Sequence, residues 1–280
     1  MKSVEHIIVC YGDQLGYHHG AKYQILSAYE RWYNRSNSKI CVVTDSPKLF
    51  KGYPCRVLTL SKEKKSAWSL NGLQHFGIKL QGLKWAMETT DSDASLLLDT
   101  DMYWKSDPAP LVEKINEKTI IMYRNEGTII GSRNQSHNRF EVGLQAKNFR
   151  LGSNQQYSLE SKSEMWASNI LGVLSDQVDL ISGAFELFSS LEHHVAAHTV
   201  EQFSVSEISR IRGIQKLEGK NYLSDWSSTG RKNYVTPILR EFFARYGETD
   251  FDTHLANWNH IKIRRPFVTL LKQKIRKKLS

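Results

Sequence analysis

Leu96-Leu97-Leu98-Asp99-Thr100-Asp101 is an apolar run that stops at two acids flanking one small residue. It reads as a buried strand that leaves the core at a polar crevice. In extended backbone, residues two apart project to the same side, which predicts both carboxylates facing one spot. Two like charges that close repel, and burial forces a proton or a cation onto such a pair. A hard divalent cation such as Mg2+ or Mn2+ resolves the conflict, because it takes oxygen ligands and shares them with phosphates. The other reading is a pair of solvated acids in the turn after a strand.

The segments around this stretch set its context. Val4–Cys10 reads as a buried first strand and Tyr11-Gly12-Asp13-Gln14 as the loop after it. Ala21 to Trp32 has helical spacing, Lys39 to Asp45 is a second strand stopped by Ser46-Pro47, and Cys55 to Leu60 is a short third. Phe76 to Met87 is helical and leads into the acid-bearing strand at Ser95–Leu98. Asp107-Pro108 is expected to cap a helix reaching about Glu117, with Pro in its first turn, and Thr119–Tyr123 forms a further strand. Strands alternating with helices predict an α/β fold, a mostly parallel sheet with helices on both faces. Ligands of such sheets bind outside the carboxyl ends of the strands. Tyr11 to Gln14, Asp45 and the Asp99/Asp101 pair all fall there. Residues 124–163 are polar and read as a loop over the site or an irregular hairpin; Met165–Val173 is apolar again. Helices are expected at Asp176–Leu191, Val200–Ile211 and Tyr234–Tyr246.

At 280 residues the chain is long enough for a sizeable core. Cys10, Cys41 and Cys55 have no zinc-site or disulfide-framework spacing and are expected to be reduced, buried thiols. Met1 to His6 leads into a short strand and not a signal-peptide core, and no run reaches the ~18–20 apolar residues of a membrane span. A cytoplasmic location is expected. The net charge of +9 is concentrated at one end: eight basic residues lie between Lys262 and Lys278, no acid follows Asp252, and the remaining 30 basic residues face 29 acids. This excess lies in a tail and not across a folded face, which argues against a nucleic-acid partner. In the tail Pro266 is placed to start a helix with Phe267, Leu270, Leu271, Ile275 and Leu279 on one face and Lys272, Arg276 and Lys277 around them. That is the pattern of a helix lying in a membrane interface; the alternative is a basic helix packed on its own domain.

Asp99-Thr100-Asp101 after a βαβ-type half resembles the Asp-x-Asp motif of GT-A-fold glycosyltransferases, in a form similar to those that build bacterial surface glycans. Met165-Trp166-Ala167-Ser168-Asn169-Ile170-Leu171-Gly172-Val173 is similar to the family's Met-Trp-Asn-Ala-Gly-Val-Ile-Gly segment, with Ala167 and Asn169 in place of Asn and Gly. Val200-Glu201-Gln202-Phe203 resembles its later Glu-Gln or Asp-Gln segment, and Lys79 sits where many members carry a basic residue near the donor. The resemblance covers roughly residues 4–245. It implies a GT-A-like, Rossmann-type sheet with added C-terminal helices. A nucleotide-sugar-binding half would span 1–123, an acceptor-binding half of the same domain 124–250, and a basic amphipathic tail 251–280. It also implies a Mn2+ or Mg2+ cofactor, a nucleotide-sugar donor (a UDP-sugar first) and a glycan or glycolipid acceptor.

The resemblance and the chemistry of each side chain yield a candidate set. Asp101 is assigned to direct metal coordination and Asp99 to the ribose, the sugar or a metal-bound water. Asp225, in Tyr222-Leu223-Ser224-Asp225-Trp226, is the candidate third ligand, with His254 and His260 as alternatives. Glu201 is the candidate base for the acceptor hydroxyl, or a positioner of the sugar; the ordinary reading is an acid favoured by the helix N-terminus. Tyr11 is suited to stacking on a base, Asp13 to hydrogen bonding with uracil or ribose, Lys79 to a phosphate or sugar, and Asn169 and Gln202 to sugar hydroxyls. Thr100 completes the donor-binding set. With the basic tail, the set describes an enzyme at the inner face of the membrane, extending a lipid-linked glycan. Two other readings stand beside it: a haloacid-dehalogenase-type phosphatase, whose first Asp is a covalent nucleophile, and a non-catalytic nucleotide-sugar- or membrane-binding protein of the same fold.

Overall fold

Residues of opposite parity on one strand need apolar cover on both sides, and here helices supply it. The computed structural model describes residues 2–32, 37–151 and 155–263. The first part of the chain runs β1 (Val4–Cys10), α1 (Leu15–Arg31), β2 (Ser38–Thr44), β3 (Arg56–Thr59), α2 (Lys62–Trp68), α3 (Phe76–Met87) and β4 (Ala94–Leu98). The middle adds β5 (Met102–Trp104), α4 (Ala109–Val112), β6 (Thr119–Thr128), α5 (Gln135–Leu144), β7 (Phe149–Leu151), β8 (Gln155–Tyr157) and β9 (Glu164–Leu174). The last part is α6 (Val178–Leu191), α7 (Val200–Ile211), β10 (Gln215–Glu218), β11 (Leu223–Asp225), α8 (Thr229–Tyr246) and α9 (Phe251–Asn257).

Seven strands form one sheet in the order β3-β2-β1-β4-β9-β6-β10. Neighbours are parallel except at β9, which runs antiparallel to both β4 and β6. Two small sheets, β5/β11 and β7/β8, sit outside it. The chain steps outward from β1 through β2 and β3, then returns to lay β4 on the other side of β1. That reversal opens a crevice between the carboxyl ends of β1 and β4, the usual ligand position in open α/β sheets.

Side-chain alternation divides the core into two layers. Ile7, Val43, Leu97, Met122 and Leu171 pack with Leu80, Leu83, Leu187, Phe188 and Phe203 of α3, α6 and α7. On the other face Ile8, Val42, Leu96, Leu98 and Ile121 pack with Ile25, Leu26, Leu239 and Phe243 of α1 and α8. Each fully buried Leu, Ile or Phe contributes about 1.5–3 kcal/mol, so the two layers fix the sheet that carries the acid turn.

The mostly parallel α/β sheet expected from the sequence is present. Several local expectations change. α1 begins at Leu15, six residues before the expected start, because buried packing of His18, His19 and Gly20 overrides their poor helix propensity. The helix expected from Asp107 to Glu117 is a single turn, α4. Asp107 accepts from the Ala109 N–H, and Asn116 then accepts from the Lys118 N–H and reverses the chain into β6. Of the two readings of 124–163, the described residues favour irregular antiparallel pairing over a loop: β6 continues to Thr128 and pairs with β9 through register shifts, Asn134 caps α5 by accepting from the Ser136 N–H, and β7 pairs antiparallel with β8. Cys10 and Cys41 are buried and Cys55 half-buried, all as free thiols. Burial pushes Cys41 and Cys55 up to about 12. Among the described residues no helix is long and apolar enough to cross a membrane. The amphipathic tail helix from Pro266 lies outside the described residues.

Candidate active site

Asp99 to Met102 is a turn and not a continuation of β4, closed by the Met102 N–H donating to the Asp99 carbonyl at 3.0 Å. The two acids therefore do not share a face through strand alternation; the turn and its packing place them. α1 clamps the turn from one side. Gln24 donates through Nε2 to the Asp99 carbonyl at 2.8 Å and to the Met102 carbonyl at 3.2 Å. β9 holds it from the other, where the Asp99 N–H donates to the Asn169 carbonyl at 3.0 Å. The Trp226 N–H, just after β11, donates to the Asp101 carbonyl at 3.0 Å.

The Asp99 carboxylate belongs to a buried cluster. Oδ1 lies 2.8 Å from Lys79 Nζ, and Oδ2 accepts from Asn169 Nδ2 at 3.3 Å. Lys79 also donates to the Ser168 carbonyl at 2.8 Å and to Ser168 Oγ at 3.0 Å. Ser168 Oγ in turn donates to Glu201 Oε2 at 3.0 Å, and Glu201 Oε1 stands 3.5 Å from Lys79 Nζ, an ion pair longer than a hydrogen bond. An ammonium has three donors, and these protein oxygens occupy those of Lys79. Two acids share one cation, so negative charge is in excess. Burial raises the Asp99 and Glu201 carboxyls above the usual range, Lys79 pulling against the shift and the neighbouring carboxylates adding to it. Burial pulls the Lys79 ammonium down, but the two carboxylates outweigh it and hold the group above its ordinary value.

The sheet supplies Ser168 and Asn169 by an irregularity. Met122 pairs with Leu171 but Arg124 pairs with Ala167, so three residues of β9 oppose the single Tyr123 of β6. Such bulges re-aim side chains next to functional sites. Here adjacent residues reach the same cluster, Ser168 meeting Lys79 and Glu201 while Asn169 meets Asp99.

Asp101 stands apart from that cluster. Its Oδ2 lies 2.9 Å from Lys232 Nζ, in the first turn of α8, and its Oδ1 is buried with no hydrogen-bond partner among the described residues. A buried carboxylate oxygen without a donor is costly and is the kind of atom a cation satisfies. Asp225 lies across the small β5/β11 sheet, opposite Met102. Its oxygens accept from the Ser227 N–H and hydroxyl and from Tyr123; burial raises its carboxyl, but these donors outweigh it and hold the group below the usual range. Among the described residues no three His, Cys, Asp or Glu gather as a metal site. The residues present fit a metal held through Asp101 and completed by phosphate oxygens, since Mg2+ commonly takes only one or two carboxylates.

The remaining candidates are distributed around this core. Tyr11, after β1, donates to the His75 carbonyl at 2.9 Å, and burial raises its phenol, with the charges of Lys79, Tyr17, Asp99 and Glu201 acting on it as well. Asp13 is exposed in the same loop. Thr100 lies at the tip of the turn with its carbonyl against Gly20. Gln202 donates to Glu126 Oε2 at 3.2 Å, a bond outside the Lys79 cluster. His254 is buried in α9, and both ring nitrogens are engaged: Nε2 donates to the Gly247 carbonyl at 2.6 Å and Nδ1 accepts from the Tyr53 hydroxyl at 2.6 Å. His260 is exposed, its Nδ1 3.4 Å from the Tyr246 hydroxyl. Asp45, after β2, accepts from the Gly12 N–H and from Lys65 at 2.7 Å.

Ser168, Gln24, Gly20 and Lys232 were not singled out by the sequence. Ser168 is a polar residue inside an apolar run, which is a usable signal; Gln24 and Gly20 look like ordinary helix positions until the turn packs on them. Two surface hollows, lined by Lys2, Asp93 and Asp176 and by Glu5, Arg56 and Asp91, lie by the opposite, amino ends of β4 and β1 and do not include the acid turn. No protein-family model and no curated protein matches this chain.

Proposed function

We propose that the protein is a metal-dependent glycosyltransferase that moves a sugar from a nucleotide diphosphate, a UDP-sugar first, to a hydroxyl of a glycan or glycolipid. One observation carries this reading: the acid turn sits at the β1/β4 switch point with Asp101 Oδ1 buried and unpartnered among the described residues. Asp101 would hold Mn2+ or Mg2+. The metal, when bound, supplies Lewis-acid stabilisation of the charge that builds on the departing diphosphate.

The chain's own residues have separable roles. Lys79 and Asn169 fix the Asp99 carboxylate, leaving it oriented toward a ribose or sugar hydroxyl. Glu201, 3% exposed, is bonded within the protein and positions Lys79 through Ser168. Tyr11 and the exposed Asp13 flank the crevice on the β1 side and suit a nucleoside. The basic tail suits an anionic membrane surface and so an acceptor carried on the inner leaflet.

The test is a thermal-shift comparison of UDP-sugars with and without Mn2+, for wild type and Asp101→Asn. Ligand binding only the folded state stabilises by about 2.7 kcal/mol at a hundredfold excess over Kd. A rise in Tm requiring both metal and nucleotide sugar, and absent in Asp101→Asn, is expected. A rise that ignores the metal, or survives the substitution, overturns the reading.

A further inference from the structure

The first turn of α8 breaks a rule of helix electrostatics. It reads Thr229-Gly230-Arg231-Lys232, with no acid. The N-terminal end of a helix carries positive partial charge and disfavours cations there. Both cations are directed at acids from elsewhere in the chain. Arg231 Nη1 donates to the Asp225 carbonyl at 2.9 Å and lies 3.6 Å from Asp225 Oδ1, and Lys232 Nζ lies 2.9 Å from Asp101 Oδ2. The Asp101 side chain is 17% exposed and that of Lys232 44%, so the acid is fixed in the wall while the lysine can swing out to water. The other Asp101 oxygen has no donor among the described residues. Lys232 thus satisfies half of a carboxylate whose second half is left open.

We propose that Lys232 is a built-in competitor for the metal: Asp101 exchanges between the Lys232 ammonium and a divalent cation. The inference rests on the glycosyltransferase reading for the metal but not for the lysine contact. A metal arriving at Asp101 brings two positive charges to within a few ångströms of an ammonium, and repulsion at that distance favours one occupant. Loading therefore releases the first turn of α8 from the acid turn, and Lys232 sets how much metal is needed to do so. Lys232 is a positioning residue: it holds α8 to the acid turn when no metal is bound.

The experiment measures Mn2+ binding to the full chain, without any sugar donor, by the loss of the free-ion electron paramagnetic resonance signal. Wild type, Lys232→Met, Lys232→Arg and Asp101→Asn are compared. Lys232→Met is expected to bind Mn2+ about two- to fivefold more tightly than wild type, the range a half-exposed ion pair supports. Lys232→Arg, which keeps the charge, is expected to stay near wild type, and this rescue separates a charge effect from a packing effect. Lys232 is half-exposed, so folding of the variants is secure, and unchanged circular dichroism checks it. Asp101-dependent binding that is equal in wild type and Lys232→Met overturns the exchange and leaves the metal assignment intact. Where none of the four binds Mn2+ alone, the comparison is repeated with UDP against a protein-free UDP blank, and binding by none of them there overturns both. Binding by Lys232→Met alone is the exchange in its strongest form.

Discussion

A Cβ atom at position 20 would lie 2.2 Å from the carbonyl oxygen of Thr100, so Gly20 of α1 and Thr100 of the acid turn meet backbone to backbone. This contact, with Gln24 one turn further along α1, makes the helix the mould for the Asp99–Met102 turn. Gly20→Ala has two opposed effects. Alanine favours a helix by about 1 kcal/mol, while a methyl group forced against backbone costs about 1–3 kcal/mol or more. The clash wins because a carbonyl in a hydrogen-bonded turn cannot rotate away as a side chain does. Urea denaturation is expected to show a net loss, and metal-dependent ligand binding is expected to fall with it. Gly183→Ala in α6 is the control. Its added methyl meets nothing nearer than 3.4 Å, and a gain of about 0.4–1 kcal/mol is expected.

Lys79→Met removes the cation that Asp99 and Glu201 share. Losing one partner of a buried ion pair costs about 3–5 kcal/mol; Asp99 keeps some contact with water, which places the expected loss at the lower end. The deficit depends on pH. Both carboxyls are already raised in the folded chain, so folding holds their protons more tightly than the unfolded chain does. The stability linked to those protons is present at low pH and is lost as pH rises through the folded values. Without Lys79 the two values rise further. The gap in Tm between wild type and Lys79→Met is therefore expected to be widest near about pH 8 and to narrow toward about pH 5. A gap that widens on acidification contradicts the cluster.

Much of this frame is legible in the sequence, and the reasons differ from element to element. β1, α3 and α7 begin and end where hydrophobic periodicity places them, because period and burial agree there. The position of the acids after a buried strand is equally legible. The direction of β9 is not: Met165–Val173 is apolar whether it runs parallel or antiparallel. Nor is the bulge opposite Tyr123, which depends on two strands distant in the chain. It brings both Ser168 and Asn169 to the cluster, a pairing that strict alternation forbids. Lys232 carries a local signal, a cation at the wrong end of a helix, but the signal becomes readable only once the helix start is known to be Thr229 and not Tyr234.

The tail yields a separate prediction. Truncation after Arg265 removes Lys272, Lys274, Arg276, Lys277 and Lys278 together with the apolar residues Phe267, Leu270, Leu271, Ile275 and Leu279. Each basic residue near an anionic surface contributes about 1 kcal/mol, so the loss in vesicle affinity is expected to be large and to shrink as salt is raised. Co-sedimentation with vesicles containing phosphatidylglycerol, against purely zwitterionic vesicles, reads it directly. Equal binding by the full and truncated chains removes the membrane from the proposal without touching the crevice.

Glu201→Gln separates a base from a positioning group. A general base contributes about 10²–10⁴ in rate, and its loss abolishes the acidic limb of the pH profile. A buried glutamate bonded to Ser168 and paired with Lys79 predicts something smaller. The amide still accepts from Ser168, so the geometry survives, but the charge on Lys79 is left to Asp99 alone. One charge-assisted contact weakened by about 1.4 kcal/mol is about tenfold in kcat/KM, with the acidic limb retained. Glu201→Ala, which also leaves the Ser168 hydroxyl without its acceptor, is expected to lose more than Glu201→Gln in both stability and transfer. A fall of about 10³-fold in Glu201→Gln with the acidic limb gone assigns Glu201 to proton transfer instead, and would require the Ser168 bond to open when the acceptor arrives.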